Sequence, residues 1–82
     1  MTAIKMTRLL PAEAKDNPDC FPEFLEDGKE NKLVAVYIIH FEEWVNLFIS
    51  EYEDGRFWTI AERDDCMGTL TECINHLLKF FR

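Results

Sequence analysis

Lys32-Leu33-Val34-Ala35-Val36-Tyr37-Ile38-Ile39-His40-Phe41-Glu42-Glu43-Trp44-Val45-Asn46-Leu47-Phe48-Ile49-Ser50-Glu51-Tyr52 decides the fold. The stretch can be one long helix or two strands. Its first half, Leu33 to Ile39, is β-branched and aromatic, which suits a pleated, half-buried surface and favours two strands. Glu42-Glu43 is then the bend. Glutamate is poor in a tight two-residue turn, so a longer loop or a bulge is expected there.

Downstream, Asp54-Gly55 lies between Val45–Glu53 and Arg56–Ile60, a hairpin signal because both central residues of such a turn take positive φ. A two-residue turn sets Glu53 opposite Arg56. Thr69-Leu70-Thr71-Glu72 is a capping box and opens a C-terminal helix over 69–82. Leu70, Ile74, Leu77 and Phe81 form its apolar stripe, with Leu78 beside them. Upstream, Pro11, Pro18 and Pro22 make residues 1–31 the least regular part. Thr2–Leu10 suits a short strand, and Phe21–Gly28 a short helical segment, with Pro22 at a first helical position and Gly28 at its stop.

These elements predict an α+β fold, one domain over residues 1–82. Strands within 32–61 form a small antiparallel sheet of three or four strands, with the C-terminal helix packed on one face. Two-residue turns at both bends sort the side chains by pleat. Val34, Val36, Ile38, Val45, Leu47, Ile49, Trp58 and Ile60 make an aliphatic face for the helix. Tyr37, Ile39, Phe41, Trp44, Phe48, Tyr52 and Phe57 make an aromatic one, which the N-terminal segment covers or leaves open to a partner.

The chain has 82 residues, 48% of them hydrophobic, enough for one packed core and too few for two. The longest apolar run is the seven residues from Leu33 to Ile39, and a membrane span needs about 20. Only Leu9 and Leu10 follow Lys5 and Arg8 before Pro11, which is no export signal. A cytoplasmic protein is expected, without membrane contact and with Cys20, Cys66 and Cys73 as free thiols.

Charge is uneven: the net charge is −7, but the first ten and last ten residues each carry +2, leaving −11 on residues 11–72. Such a field repels phosphate backbones, so direct nucleic-acid binding is not expected. It steers in a basic protein surface.

Catalytic and metal patterns are sparse. Cys73 and His76 stand three apart on the helix with Cys66 upstream, but a fourth ligand is wanting. His40 has no predictable cysteine beside it to activate. Glu42/Glu43 and Asp64/Asp65 are sequence neighbours, which a strand points to opposite faces, wrong for two carboxylates flanking one bond. No enzyme, cofactor or metal is expected. The candidate binding residues are Trp44, Phe48 and Tyr52 as aromatic anchors, with Glu42, Glu43, Glu51, Glu53, Asp54, Asp64 and Asp65 as a charged rim.

No family is identified. Residues 56–78, a strand and then the Thr-Leu-x-Glu helix start, resemble the strand-then-helix end of HicB-type antitoxin domains, with Arg63-Asp64-Asp65-Cys66-Met67-Gly68 in place of the proline- and glycine-bearing loop. In size and charge the chain is similar to small acidic phage proteins that inhibit host defence, anti-CRISPR proteins among them. The reading that follows is a small acidic inhibitor occluding a basic, nucleic-acid-binding surface. The alternative is an antitoxin-like or accessory partner of one protein through a mainly hydrophobic contact.

Overall fold

The computed structural model describes residues 5–28, 30–42 and 45–80, with Glu42 described by its backbone alone. The stretch from Leu33 is indeed two strands. β2 (Leu33–Glu42) and β3 (Val45–Tyr52) pair antiparallel at the centre of a sheet whose other members are β1 (Lys5–Leu9), β4 (Phe57–Ala61) and β5 (Asp64–Gly68). The strand order is β1-β2-β3-β4-β5, with every neighbour antiparallel. Between β1 and β2 the chain makes a short helix, α1 (Pro11–Lys15), and a single 3₁₀ turn (Pro22–Leu25); after β5 it ends in α2 (Leu70–Phe80). The α+β class, the antiparallel sheet and the C-terminal helix stand as expected. The sheet has five strands rather than three or four.

The extra strand is β5. Asp64-Asp65-Cys66-Met67-Gly68 has poor strand propensity, which is why it reads as a loop. It pairs with β4 through a tight turn at Glu62-Arg63, with Ala61 opposite Asp64. Glu62 accepts φ of +57 to make that turn.

The expected faces need correction, because the pairing of β3 with both its neighbours is shifted. Two-residue turns would set Tyr37 opposite Phe48 and Glu53 opposite Arg56. Instead Tyr37 pairs with Ile49, Ile38 with Phe48 and Ile39 with Leu47. At one end the register shifts between His40 and Glu42, and Glu42 remains in the strand opposite Val45. This is the bulge that the poor turn residues foreshadow. At the other end Asp54-Gly55 closes a three-residue loop. The Gly55 amide donates to the Tyr52 carbonyl (3.0 Å) and the Tyr52 amide to Arg56 (2.9 Å). Only Gly55 takes positive φ there, +88, whereas Asp54 does not. Arg56 therefore pairs with Asp54, not Glu53.

Each loop moves β3 by one residue, so β3 changes face relative to β2 and β4, which keep their own relation. Relative to the two covers, Val45, Leu47 and Ile49 lie on the helix side as expected, whereas Val36, Ile38, Trp58 and Ile60 of β2 and β4 lie on the side of the N-terminal segment. Phe48, Ser50 and Tyr52 join Val36, Ile38, Trp58 and Ile60; Val45, Leu47 and Ile49 join Tyr37, Ile39, Phe41, Phe57 and Ala61. There is no aliphatic face and no aromatic face, and each side carries both kinds.

Each face is a core. The N-terminal segment packs Ala14, Cys20 and Phe24 on Val36, Ile38, Phe48 and Tyr52. The α2 helix packs Cys73 and Leu77, with Leu70, Ile74 and Phe80 beside them, on Ile39, Leu47, Ile49 and Ala61. Cys73, expected at the margin of the helix's apolar stripe, is wholly buried. Phe81, expected on that stripe, lies outside the described residues. The capping box forms as read: the Glu72 amide donates to Thr69 Oγ1 (3.1 Å) and the Thr69 amide to Glu72 Oε1 (3.2 Å).

Candidate binding surface

The two covering layers are offset across the sheet. The N-terminal segment lies over β2 and β3, and α2 lies chiefly over β4 and β5 on the opposite side. On the N-terminal side, β4 and β5 are therefore only partly covered. Trp58 and Ile60 of β4 are half-buried there, and Met67, opposite Trp58 on β5, is 52% exposed. Phe21 completes the apolar set. It is 60% exposed at the start of the 3₁₀ turn and stands edge-on to Phe48 (6.3 Å between ring centres). Phe21 and Met67 are thus large apolar side chains left exposed on this side of the sheet.

A hollow lies at each end of this strip. One, of about 410 Å³, sits at the β3–β4 turn and is lined by Gly28, Glu30, Asn31, Tyr52, Asp54, Arg56 and Met67. The other, of about 270 Å³, sits at the β4–β5 turn among Phe21, Glu23, Phe24, Phe48, Ile60 and Glu62. Carboxylates therefore stand at both ends: Glu30 and Asp54 at the first, Glu23 and Glu62 at the second, with Asp65 between them on β5.

Local bonds order several of these groups. Trp58 Nε1 donates to Asp65 Oδ2 (3.1 Å), which fixes the indole along the strip, and the ring leans on Phe24 (5.5 Å). Asp54 accepts from Asn31 Nδ2 (2.9 Å), from the Arg56 amide (3.1 Å) and from the Arg56 guanidinium. The Arg56 amide, with help from its side chain, holds the Asp54 carboxyl below its usual value.

The expected site residues divide. Asp54, Asp64, Asp65 and Glu53 are exposed, as a rim requires. Glu53 accepts from the Lys32 amide (3.2 Å), and the Asp64 carbonyl is 2.9 Å from His76 Nε2. Phe48 and Tyr52 are not exposed anchors. They are 4% and 8% exposed, because the N-terminal segment covers the face on which they lie. Glu51 leaves the rim for the opposite face, where it accepts from Arg8 Nε (3.3 Å). Burial first, then Glu51, pushes the nearby Tyr37 hydroxyl up. Glu43 and Trp44 lie outside the described residues, as does the side chain of Glu42. Phe21 and Met67 are the exposed apolar side chains on this side, with the half-buried Trp58 opposite Met67. The expectation places Trp58 under the helix and Met67 in a loop; the pairing of β5 with β4 brings them together.

One cluster has the order of a catalytic relay. Thr7 Oγ1 is 3.2 Å from His40 Nε2, and His40 Nδ1 is 3.1 Å from Asn46 Oδ1. His40 and Asn46 are exposed, and Asn46 also lines the smaller hollow. The three side chains link β1, β2 and β3 across the sheet.

Among the described residues no group of three or more His, Cys, Asp and Glu is placed to hold a metal ion, and no helix is long and apolar enough to cross a membrane. The sequence matches no protein-family model, and neither the curated proteins nor the solved structures contain a match to it.

Proposed function

We propose that this chain is a non-enzymatic protein-binding domain, a small acidic inhibitor that covers a basic, nucleic-acid-binding surface of a target protein. The observation that carries the reading is the strip of Phe21, Trp58 and Met67 flanked by Glu23, Glu30, Asp54, Glu62 and Asp65. Carboxylates at both ends and at the edge draw in and orient a cationic surface. The apolar strip supplies the desolvated contact that charge alone does not. The overall charge of −7 adds long-range steering, which fades as salt rises.

A second reading is a stabilising, antitoxin-like partner of one protein, held mainly by apolar contact. The exposure of Phe21 and Met67 favours it. The two differ in salt response. The test is a pull-down from cell lysate on the immobilised chain, washed at low and at high salt. The inhibitor reading expects a basic nucleic-acid-binding protein, released by salt and competed by DNA or RNA, with capture reduced at least several-fold by Met67→Ser. Salt-resistant capture of a partner with no nucleic-acid role supports the second reading. Turnover of a small molecule without any capture defeats both.

A further inference from the structure

The junction of β5 and α2 brings two cysteines together on the helix side of the sheet. Cys66 is in the middle of β5, half-exposed, and its side chain packs against the core that α2 covers. Cys73 is in the first turns of α2 and wholly buried in that core. The Cys73 thiol donates to the Cys66 backbone carbonyl at 3.7 Å, so its sulfur sits directly over the Cys66 residue. Both side chains belong to the same core cluster. The third thiol, Cys20, is in the core on the opposite face of the sheet and has no such neighbour among the described residues.

We propose that Cys66 and Cys73 form a redox-responsive thiol pair, in which Cys66 is the site of attack by a small disulfide such as oxidised glutathione and Cys73 resolves the adduct into an internal disulfide. Exposure sets the order. A reagent in solution meets Cys66 first, whereas Cys73 reaches only its neighbour. Burial, reinforced by Cys66, pushes the Cys73 thiol up to about 12, which keeps it protonated and quiet while Cys66 is reduced.

The chemistry balances in two exchanges. The Cys66 thiolate attacks one sulfur of oxidised glutathione; the Cys66–glutathione bond forms, and one glutathione leaves as thiolate. The Cys73 sulfur attacks the Cys66 sulfur as its proton passes to the departing glutathione; the Cys66–Cys73 bond forms, the Cys66–glutathione bond breaks and the second glutathione leaves as thiol. The protein loses two electrons and two protons, and one oxidised glutathione becomes two reduced ones. The product ties β5 to α2. β5 also bears Asp65 and Met67, so the tie fixes one wall of the apolar strip from behind.

The test is a glutathione redox titration of the full chain under native conditions, quenched with acid and read by intact mass and peptide mapping. The expected end point is a chain lighter by two hydrogens, with Cys66 linked to Cys73 and Cys20 still reduced. Reduced glutathione should reverse it. Cys73→Ser should instead accumulate a single glutathione on Cys66, and Cys66→Ser should react at least tenfold more slowly than wild type. The wild-type titration stands whether or not the variants fold. A wild-type chain that ends as a stable glutathione adduct at Cys66 would overturn the pairing. So would one whose thiols react only after unfolding, or one that links Cys20.

Discussion

Replacing Ser50 by alanine tests how the N-terminal segment is seated on β3. Ser50 is wholly buried, and its hydroxyl donates to the Phe24 carbonyl of the 3₁₀ turn at 2.7 Å. That contact exists only if the even-numbered residues of β3 face the N-terminal segment. Alanine keeps Cβ and removes one oxygen, so the packing loss is small. The hydrogen bond itself contributes about 1 kcal/mol net, and leaving the Phe24 carbonyl buried without that donor costs about 1–3 kcal/mol. Taking about 2 kcal/mol overall and a urea slope of about 1 kcal/mol/M for a small domain, the midpoint should fall by about 2 M. The natural control is Asn46→Ala, on the same face of the same strand. Asn46 is exposed and touches His40 alone among the described bonds, so its loss should stay within about 0.5 kcal/mol. Paired urea melts followed by tryptophan fluorescence make the comparison. A Ser50→Ala midpoint within about 0.3 M of wild type, a shift of about 0.3 kcal/mol, would refute the burial of Ser50 beneath the 3₁₀ turn.

The two turns around β4 make opposite predictions. Gly55 has φ of +88 with open space about it, so Gly55→Val should destabilise by more than about 1 kcal/mol through backbone strain, and Gly55→Asn by less. Glu62 holds φ of +57 without being glycine, so Glu62→Gly should stabilise by about 0.5–1 kcal/mol, read as a raised denaturation midpoint. Alkaline pH should weaken the fold. The folded Cys73 thiol is raised from about 9 to about 12, so its contribution is whole below pH 9 and is lost as pH rises towards 12. The Tyr52 hydroxyl, also raised by burial, acts in the same direction above its ordinary value of 10. Cys73→Ala should flatten the decline in midpoint measured across that window, and an unchanged slope would remove Cys73 as its source.

The elements whose signals are local are legible in the chain. The capping box at Thr69–Glu72 satisfies amides three residues away, so no distant partner is needed to start α2. Gly55 turns because its own backbone permits positive φ. Leu33–Ile39 is a strand because β-branched and aromatic side chains suit a surface buried on both sides. The acidity of residues 11–72 is pure composition.

Tertiary structure decided what depends on counting residues through loops. Strand side chains alternate with a period of two, so a single bulged residue near Phe41 and a single extra residue at Glu53–Gly55 exchange the two faces of β3. Whether Phe48 shares a face with Ile38 or with Tyr37 rests on that count, and no propensity encodes it. β5 is the second case. Asp64–Gly68 has little strand character of its own and exists because β4 offers an unpaired edge and α2 holds it from the side, with Cys73 on the Cys66 carbonyl and His76 beside the Asp64 carbonyl. The apolar strip rests on that strand: Trp58 and Met67 face each other only because β5 pairs with β4, and Phe21 joins the same side only where Phe48 of β3 receives it.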